Sequence, residues 1–568
     1  MKTRTLQVRW TAIALLCLAA TAQAQQAPDA GTLLRQQPAS PAPASPPPLI
    51  PGPPPVAPEE VMTGPRFVVK AFRFTGAVMI PEADLQAHIA AYRGHRVTFG
   101  ILRLIADQLT GYYLRRGFLA RVLIPEQDVK DGVVEFRVIE GQRGSLTIEN
   151  QGKRVDGGRV TDFINQRLGE GAAFDVSRLN EAIAILNEQP GVRAGTTLRP
   201  GTREGEVAVV VSTADKPLFE GTAALNNSGS KASGVAVGQV VLSLANPTGS
   251  FDAASLSVNA SEGNTFGRID YSLAVGNRGL RVGANAAALR YRIIDPALKP
   301  LDLHGTARTF GLAASYPLAR TRTFGLDLAA SHGVKRLIDQ SATGETGNRT
   351  VTATTLGLSG SLRHRIGRKA ALTRFGADVV FGEGDERNAG ALAADAAARR
   401  TNGGFSKLAY NAANLVEISE NWSHAATLRG QLAGNNLDSS ERFGLGGPSG
   451  IRGYPVGEGT GDEGWLLSLN LRRSFGNELA ASLFYDAGGV TLNRETWANW
   501  NAGNANLPNR YTLAGVGAGI DWRFLPSAVL SVTLAVPVGS NPGRDTNNLN
   551  ADGKRNHARL LLVLSAEF

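Results

Sequence analysis

The sequence predicts a mainly β protein, in which a 16-stranded transmembrane β-barrel follows two small α+β domains of βααββ order. Three observations predict this fold. The amino end has the pattern of an export signal, the last ten residues alternate between an apolar and a mixed face, and the carboxyl-terminal part contains about sixteen alternating segments. Strict alternation suits strands that separate lipid from a wet lumen. Taken alone, the last ten residues could also form an amphipathic strand of a soluble sheet.

Residues 1–24 are predicted to be a secretory signal peptide. A basic start precedes a short apolar run, and Ala22-Gln23-Ala24 offers a small-x-small cleavage site. The run is too short to span a bilayer as a helix, which needs about 20 residues. The only cysteine, Cys17, lies in this segment, so the mature chain has no disulfide, thiolate metal site or cysteine nucleophile.

Residues 25–37 are predicted to form a short amphipathic helix with Leu33 and Leu34 on one side. Residues 38–65 follow as a proline-rich linker, which is an extended, semi-rigid spacer and not a folded unit. A short helix on a long tether predicts a movable element that can plug a pore. A disordered tail is the alternative that these residues leave open.

Residues 66–141 and 142–216 are predicted to be two α+β domains of similar order. The first is predicted to consist of strand 67–76, helices 81–92 and 99–113, and strands 121–124 and 133–139. The second is predicted to contain strand 146–149, helix 159–168, a helix that Asp175 caps, and a closing strand 207–212. Neither domain contains a catalytic constellation, so both are predicted to bind a partner.

Residues 217–568 are predicted to form the barrel. Its segments lie near 218–228, 234–245, 252–261, 265–276, 279–294, 303–316, 320–336, 349–366, 370–383, 402–419, 421–435, 463–475, 479–488, 510–524, 527–538 and 557–568. Several of them exceed the roughly 9–11 residues that a tilted membrane strand needs. The closing segment places Leu560, Leu562, Leu564 and Ala566 on one face with the terminal Phe568. An aromatic carboxyl terminus is typical of bacterial outer-membrane barrels.

Composition and motifs exclude several function classes. The net charge of +10 is mild for 568 residues, and no basic stripe is interleaved with aromatics, so nucleic-acid binding is not predicted. Residues 459–464 match G-x-G-x-x-G, but no βαβ unit surrounds them. No Walker A motif, metal-spaced histidine pair or G-x-S-x-G occurs, so neither a cofactor nor an enzymatic activity is predicted. His88 and His95 are predicted to lie on the surface of the first domain.

Three motifs resemble those of one family. Residues 121–128 (RVLIPEQD) are similar to the R-x-x-(I/L)-P-x-Q-D stretch of the first POTRA (polypeptide-transport-associated) domain in two-partner secretion transporters, the TpsB-type haemolysin secretion/activation proteins. Residues 227–230 (NSGS) and Asn246-Pro247-x-Gly249-x-x-Asp252 resemble the opening of their barrel. Ile451-Arg452-Gly453-Tyr454 resembles the (V/I)-R-G-(Y/F) motif of their sixth external loop, which the wider outer-membrane assembly superfamily shares.

The resemblance implies that this loop folds back into the barrel and that its arginine pairs with the aspartate of a strand-13 motif, F-x-D-x-G. The thirteenth segment contains that motif as Phe484, Asp486 and Gly488, and Arg452 lies between segments 11 and 12. An arginine inside a barrel needs a partner, because an unpaired buried charge is costly. Its planar fork suits a carboxylate. We therefore predict that an Arg452–Asp486 pair anchors the loop in the lumen.

The resemblance also implies a function. It predicts an outer-membrane pore, with periplasmic POTRA domains, that recognises one large unfolded exoprotein and translocates it to the cell surface by type V secretion. The predicted partners are this exoprotein (an adhesin, a cytolysin or a contact-dependent toxin), outer-membrane lipid, and the barrel-assembly machinery for the protein's own insertion. Partner contact is predicted in the second domain, at Phe163, Leu168, Leu179, Ile183 and Leu186.

Three alternatives remain open on the sequence. A barrel-insertion factor of the same superfamily shares the layout. A passive porin with periplasmic binding domains predicts a wide, steady conductance that does not change when residues 25–37 are deleted. An outer-membrane enzyme would need a nucleophile constellation, and the sequence shows none.

Overall fold

The computed structural model of the chain describes residues 27–37, 65–129, 131–169, 173–555 and 557–568. The predicted signal peptide, and the predicted linker except for its last residue, lie outside the described residues. Helix α1 (Ala30–Arg35) forms within the predicted segment 25–37, and the Asp29 side chain caps it by accepting from the N–H of Thr32 at 2.8 Å. No helix among the described residues is long and apolar enough to cross a membrane.

The first module, residues 66–141, has the predicted order with small shifts of boundary. Its elements are β1 (Phe67–Val68), β2 (Ala71–Thr75), α2 (Glu82–His88), a 3₁₀ turn (Ala90–Tyr92), β3 (Arg96–Val97), α3 (Phe99–Arg115), β4 (Ala120–Leu123) and β5 (Val133–Glu140). The sheet order is β2-β5-β4, with β2 parallel to β5. Helix α3 buries Leu102, Ile105 and Leu109 against this sheet, whereas His88 and His95 are exposed as predicted.

The second module, residues 142–216, repeats the plan. Its elements are β6 (Gln142–Asn150), α4 (Gly157–Leu168), α5 (Val176–Glu188), β7 (Val192–Pro200) and β8 (Glu206–Asp215). Asp175 caps α5 as predicted, because its carboxylate accepts from the N–H groups of Ser177 and Arg178. The sheet order is β6-β8-β7. The sequence did not locate β7, whose run of glycine, threonine and arginine is too weakly apolar to show alternation.

The rest of the chain forms the barrel and its loops. The elements are β9 (Phe219–Asn226), β10 (Val237–Ala245), β11 (Ala253–Ser261), β12 (Asn264–Val275), β13 (Leu280–Arg292), a 3₁₀ turn (Lys299–Leu301), β14 (His304–Arg320), β15 (Phe324–Ser341), β16 (Gly344–Ile366), β17 (Lys369–Glu386), α6 (Ala389–Ala397), β18 (Gly403–Glu417), β19 (Trp422–Ala433), a 3₁₀ turn (Ser439–Glu441), β20 (Phe443–Gly444), β21 (Thr460–Gly461), β22 (Glu463–Phe475), β23 (Leu479–Thr491), β24 (Arg510–Leu525), β25 (Ala528–Val538) and β26 (Arg559–Glu567). Strands β9–β19 and β22–β26 close into one antiparallel barrel of sixteen strands. Each predicted segment therefore corresponds to one strand.

The first and last barrel strands meet at a short seam. Strand β26 pairs with β9 from Val563↔Asn226 to Glu567↔Thr222. The seam is completed by Phe568, whose N–H and carbonyl exchange hydrogen bonds with Gly221 at 3.0 and 2.8 Å. The Phe568 ring also lies 6.0 Å from that of Phe219. The alternating leucines of β26 and Phe568 point outward, so the predicted lipid face is confirmed.

Two features of the barrel differ from the sequence prediction. Strands β14–β17 contain 17 to 23 residues, far more than the roughly 10 that cross a membrane, so this side of the barrel rises beyond the bilayer. Helix α6 fills the connection between β17 and β18 and was not predicted. Its signal was present, because Asn388 precedes an alanine-rich run of high helix propensity and caps it through the N–H of Ala391.

Candidate functional site in the barrel lumen

The connection between β19 and β22, residues 434–462, folds back into the barrel; we call it loop 6. Strands β20 and β21 pair within it, Phe443 with Gly461 and Gly444 with Thr460, and form its neck. Its apolar residues form a small core against the wall strands, which includes the buried Leu445, Ile451 and Tyr454. The loop therefore has a structure of its own and occupies the lumen.

At the tip of loop 6, Arg452 meets Asp486 of β23. The guanidinium binds the carboxylate through two of its nitrogens, with Nε donating to Oδ2 at 2.8 Å and Nη2 donating to Oδ1 at 2.7 Å. The backbone N–H of Arg452 also donates to Oδ2 at 3.2 Å. Asp486 is fully buried and the Arg452 side chain is 19% exposed. The geometry is the bidentate pairing for which arginine is suited.

Neighbouring strands complete the surroundings of this pair. Ser468 and Asn470 of β22 lie opposite Asp486 and Phe484 of β23, so the four side chains face the lumen together. Nη2 of Arg452 donates to Ser468 Oγ at 3.1 Å and to Asn470 Oδ1 at 3.2 Å. The guanidinium carbon lies 3.4 Å from the centroid of the Phe484 ring, a cation–π contact.

The small residues of both motifs allow the loop to approach the wall. A Cβ on Gly453 would lie 2.9 Å from the backbone nitrogen of Pro537 in β25, and a Cβ on Gly488 would lie 2.7 Å from a methyl group of Leu445. Ile451 and Tyr454 are buried on either side of the arginine. The motif residues thus have two roles. Arg452 and Asp486 form the charged contact, and the others allow the loop to pack closely against the wall.

Helix α1 lies against the opposite side of the lumen and against loop 6. Leu33 is 1% exposed in an apolar cluster that contains Phe266 and Leu289 of the wall, and Leu34 packs at its edge. The N–H of Ala30 donates to Asp339 Oδ1 at 2.8 Å. The helix is therefore held by one buried leucine and by polar contacts at its first turn.

A group of four charged residues joins the helix, the wall and the loop; we call it the Arg349 cluster. Arg349 of β16 contacts Asp29 beside the helix, Asp339 of β15 with Nη1 to Oδ2 at 2.9 Å, and Asp438 of loop 6 with Nε to Oδ2 at 2.6 Å. Ser439 donates to Asp29 Oδ2 at 2.6 Å. Burial acts to raise the pKa of Asp29, but Arg349 and the hydrogen bonds from Ser439 and Thr32 outweigh it and lower this pKa to about 2. The carboxylate of Asp29 is therefore charged at neutral pH.

Sequence reasoning did not find the Arg349 cluster. Its members lie on four separate segments, and no motif joins them. The one available signal is the alternation of each strand, which places Asp339 and Arg349 at inward positions of neighbouring strands. Leu337 pairs with Arg349, and Asp339 pairs with Gly347. Further buried ion pairs fix the base of the loop, from Glu441 to Lys335 and Lys407 and from Asp462 to Arg399 and Arg442.

Beside the tip of loop 6, toward strands β18–β26, the lumen holds a cavity of about 450 Å³. Its lining combines polar side chains, such as Asn470, Ser482 and Thr533, with apolar ones, such as Leu561 and Val563, and Arg452 lies at one side. The cavity is the open part of a lumen that loop 6 and α1 otherwise occupy.

The residues predicted to contact the partner are mostly interior, so this prediction is wrong for them. Phe163, Leu179, Ile183 and Leu186 are at most 2% exposed, and Leu168 packs at the edge of the same core. Their helical spacing marks the faces with which α4 and α5 pack on the sheet of their own module. A side chain cannot serve that core and a partner surface at once.

The chain is similar to a known family and to several known proteins. The sequence profile described as "Haemolysin secretion/activation protein ShlB/FhaC/HecB" matches residues 205–522, and the "POTRA domain, ShlB-type" profile matches residues 67–141. The chain is 26% identical over 478 residues to the heme/hemopexin transporter protein HuxB of Haemophilus influenzae (strain 86-028NP), covering 81% of each chain. It is 23% identical over 433 residues to the outer membrane transporter CdiB of Dickeya dadantii (strain 3937), covering 73% of this chain and 74% of CdiB.

A solved structure has the same fold. The structure of CdiB from Escherichia coli aligns with a TM-score of 0.69 at 20% identity, covering 90% of this chain and 92% of that chain. Together, fold and profiles define an outer-membrane β-barrel transporter with an amino-terminal POTRA region. The chain belongs to the ShlB/FhaC/HecB family of haemolysin secretion/activation proteins.

The family assignment confirms the predicted class of function. The protein is a TpsB-type outer-membrane transporter that secretes a partner exoprotein. The family consists of transporters, so the enzyme alternative is wrong. Secretion is thereby favoured over barrel insertion and over passive diffusion.

Proposed function

We propose that this transporter captures a large unfolded exoprotein in the periplasm and passes it through the lumen after α1 leaves and loop 6 shifts. The observation that carries this proposal is the occupancy of the lumen. Helix α1 and loop 6 fill it, yet the helix is held mainly by polar contacts at its first turn and by one buried leucine. A resting plug of this kind opens without unfolding the barrel.

The free edge of β7 is the proposed capture surface, in place of the buried residues predicted from the sequence. Strand β7 is the last in the order β6-β8-β7, and no further strand pairs with it among the described residues. It starts directly after Gly191, which lies against Asn246 at the barrel rim. An extended segment that pairs antiparallel with β7 would run toward the barrel mouth.

The repeated βααββ order supports assigning the second module as a second POTRA domain. Of the two relatives, HuxB is named as a heme/hemopexin transporter protein and CdiB as an outer membrane transporter. For this chain the proposed partner is a large exoprotein: an adhesin, a cytolysin or a contact-dependent toxin. Its folding outside the cell supplies direction, since no nucleotide motif occurs in the sequence.

Two further partners are proposed for the barrel itself. Outer-membrane lipid covers the outward leucines of β26. The barrel-assembly machinery inserts the chain and uses the terminal strand with Phe568 as its signal. Phe568 seals the seam with Gly221, so the residue that would direct insertion also closes the barrel.

Co-expression with the large exoprotein encoded beside this chain, in a surrogate bacterium, tests the proposal. Export is expected with the wild-type chain and is expected to fall at least tenfold with Arg452→Ala. Arg473→Ala is the matched control, because Arg473 is an exposed arginine of β22 that stacks on Phe475 outside the lumen. An exoprotein that stays periplasmic with a correctly folded wild-type barrel would contradict secretion of that partner and revive the barrel-insertion alternative. Conductance that does not change on deletion of residues 25–37 would instead favour a porin.

A further inference from the structure

The turn between β10 and β11, residues 246–252, is more elaborately bonded than a strand connection requires; we call it the docking turn. The N–H of Asn246 donates to the carbonyl of Asp252 at 2.7 Å, and the amide oxygen of Asn246 accepts from the N–H of Phe251 at 2.7 Å. The Asp252 carboxylate accepts from the N–H of Thr248 at 3.2 Å and from the Tyr271 hydroxyl at 3.0 Å. The turn therefore has one defined shape.

That shape forces Phe251 into a strained conformation. Its φ is 56°, in the left-handed region, and Asn246 has a φ of 59°. Asparagine tolerates this region, whereas a bulky aromatic residue is a genuine outlier there. Such strain persists only where surrounding contacts over-determine it, and it marks positions of functional constraint.

The side chain of Phe251 packs against the second module. The Phe251 ring is 3% exposed and belongs to the hydrophobic core of that module, together with Val160 and Phe163. The guanidinium carbon of Arg159 in α4 lies 5.3 Å from the ring centroid. The barrel thus contributes one aromatic residue to the interior of the module.

Polar contacts surround this aromatic contact. Arg281 of β13 donates to the carbonyl of Phe251 at 2.9 Å and to the side-chain oxygen of Gln189 at 2.9 Å. Arg320 of β14 pairs with Glu188 at the end of α5 at 2.6 Å. Arginines of two barrel strands therefore hold the end of α5, and one of them, Arg281, also holds the backbone of Phe251.

We infer that the docking turn fixes the orientation of the second module against the barrel and that Phe251 is the positioning residue. A shared core residue permits one relative orientation, whereas ion pairs alone permit several. One consequence rests on the proposed function: the edge of β7 then opens at the barrel mouth in a fixed direction. The orientation itself does not depend on what the protein secretes.

A distance measurement between spin labels tests the orientation directly. The only cysteine of the sequence, Cys17, lies in the predicted signal peptide, so Arg199→Cys in β7 and Glu420→Cys at the same end of the barrel are labelled selectively in purified protein from which that peptide has been removed. Wild type is expected to give one narrow distance distribution and Phe251→Ala a broad one, with Phe251→Leu between them. Phe174→Ala is the matched control, because Phe174 is buried in the same core beside Gly141, at the junction with the first module. A narrow, unshifted distribution for Phe251→Ala would overturn the inference.

Export with a cross-link separates this inference from the proposed function. Glu188→Cys and Arg320→Cys, joined by a short bismaleimide, replace an ion pair by a covalent link between module and barrel. Phe251→Ala is expected to lower export at least tenfold, and the link is expected to restore most of it, but not to rescue Phe174→Ala. Failure of an established link to restore export overturns Phe251 as a positioning residue for secretion. If Phe251→Ala gives a broad distance distribution but undiminished export, Phe251 does fix the orientation of the module. The proposal that the edge of β7 captures the exoprotein is then overturned.

Discussion

The tip and the base of loop 6 are both fixed by an arginine, but the charge is balanced differently at the two places. At the tip, Arg452 faces the single carboxylate of Asp486, and hydroxyl, amide and aromatic groups occupy its other sides. At the base, Arg349 faces three carboxylates that belong to the helix, the wall and the loop. One contact is balanced and specific, and the other has negative charge in excess.

This difference in charge balance indicates that helix α1 is easier to release from the lumen than the tip of loop 6. Separating a balanced, buried pair leaves both charges without compensation, which is strongly unfavourable. When α1 leaves with Asp29, Arg349 keeps two carboxylates, and the repulsion among three is relieved. The loop tip is therefore joined to the wall by a pair that neither partner can leave cheaply, whereas loss of Asp29 would leave Arg349 compensated, which supports the proposal that the helix departs first.

The largest expected effect comes from breaking the balanced pair. Asp486→Ala leaves Arg452 buried without its carboxylate, a change that costs about 3–5 kcal/mol in comparable buried pairs. We expect loss of export and protease cleavage within loop 6 of the purified protein. Arg452→Ala combined with Asp486→Ala is expected to be no worse than either single change, because both remove the same contact. Fully additive losses would show that the two residues act separately.

A smaller effect is expected when the Arg349 cluster loses its cation. Arg349→Ala leaves Asp29, Asp339 and Asp438 facing one another, so both α1 and the base of loop 6 are loosened while the tip stays in place. Planar-bilayer recordings are expected to show a several-fold increase in open time. Arg336→Ala, an exposed arginine on the outer face of β15, serves as the control. Equal open times for the two variants would contradict the role of the cluster.

Removing one carboxylate of the cluster should act on the helix alone. Asp29→Asn keeps an acceptor for the helix cap but loses the ion pair with Arg349, a charged hydrogen bond worth about 1.5–3 kcal/mol. In planar-bilayer recordings we expect the channel open time to be about as long as after deletion of residues 27–37. Protease cleavage within loop 6 is not expected to increase. An unchanged open time for Asp29→Asn, beside a longer open time after deletion of residues 27–37, would show that the ion pair does not hold the helix.

The smallest expected effect is that of salt. Raising the ionic strength from about 0.1 to 1 M shortens the Debye length from roughly 10 to 3 Å, which screens partly exposed charges more than buried ones. Open time is expected to rise modestly in the wild type, because the Asp29 side chain is 30% exposed, and to be unaffected in Asp29→Asn. Loop 6 cleavage is expected to stay constant, since Asp486 is fully buried. Salt-dependent cleavage of the loop would place the tip pair in contact with solvent.

The local patterns of the chain predicted much of this architecture. All sixteen barrel strands were located, because each segment shows alternation that glycine, asparagine, aspartate or proline separates from the next. Asp175 was recognised as a helix cap from its position before an apolar helical run. In contrast, β7 was missed, because an edge strand with glycine and threonine has little alternation to detect. Helix α6 was not predicted, although Asn388 and the alanine-rich run after it are a local helix signal.

The candidate site was predicted only in part, for a reason of distance along the chain. Arg452 and Asp486 were paired because the resemblance supplied two motifs, and the geometry then brought them within 2.7 Å. The Arg349 cluster has no motif, and its members are up to 409 positions apart, from Asp29 to Asp438. The buried residues of α4 and α5 were misassigned because helical spacing identifies an apolar face without saying what covers it.

The sequence by itself determined that this protein forms a barrel and which face of each strand is apolar, because period-2 alternation is a local property. Only the tertiary structure decided what fills the lumen and how the parts are joined. Charge compensation between Asp29, Asp339, Arg349 and Asp438, and the entry of Phe251 into the core of another module, depend on which segments the closed barrel brings together. Burial makes such contacts strong, and burial is a property of the whole fold.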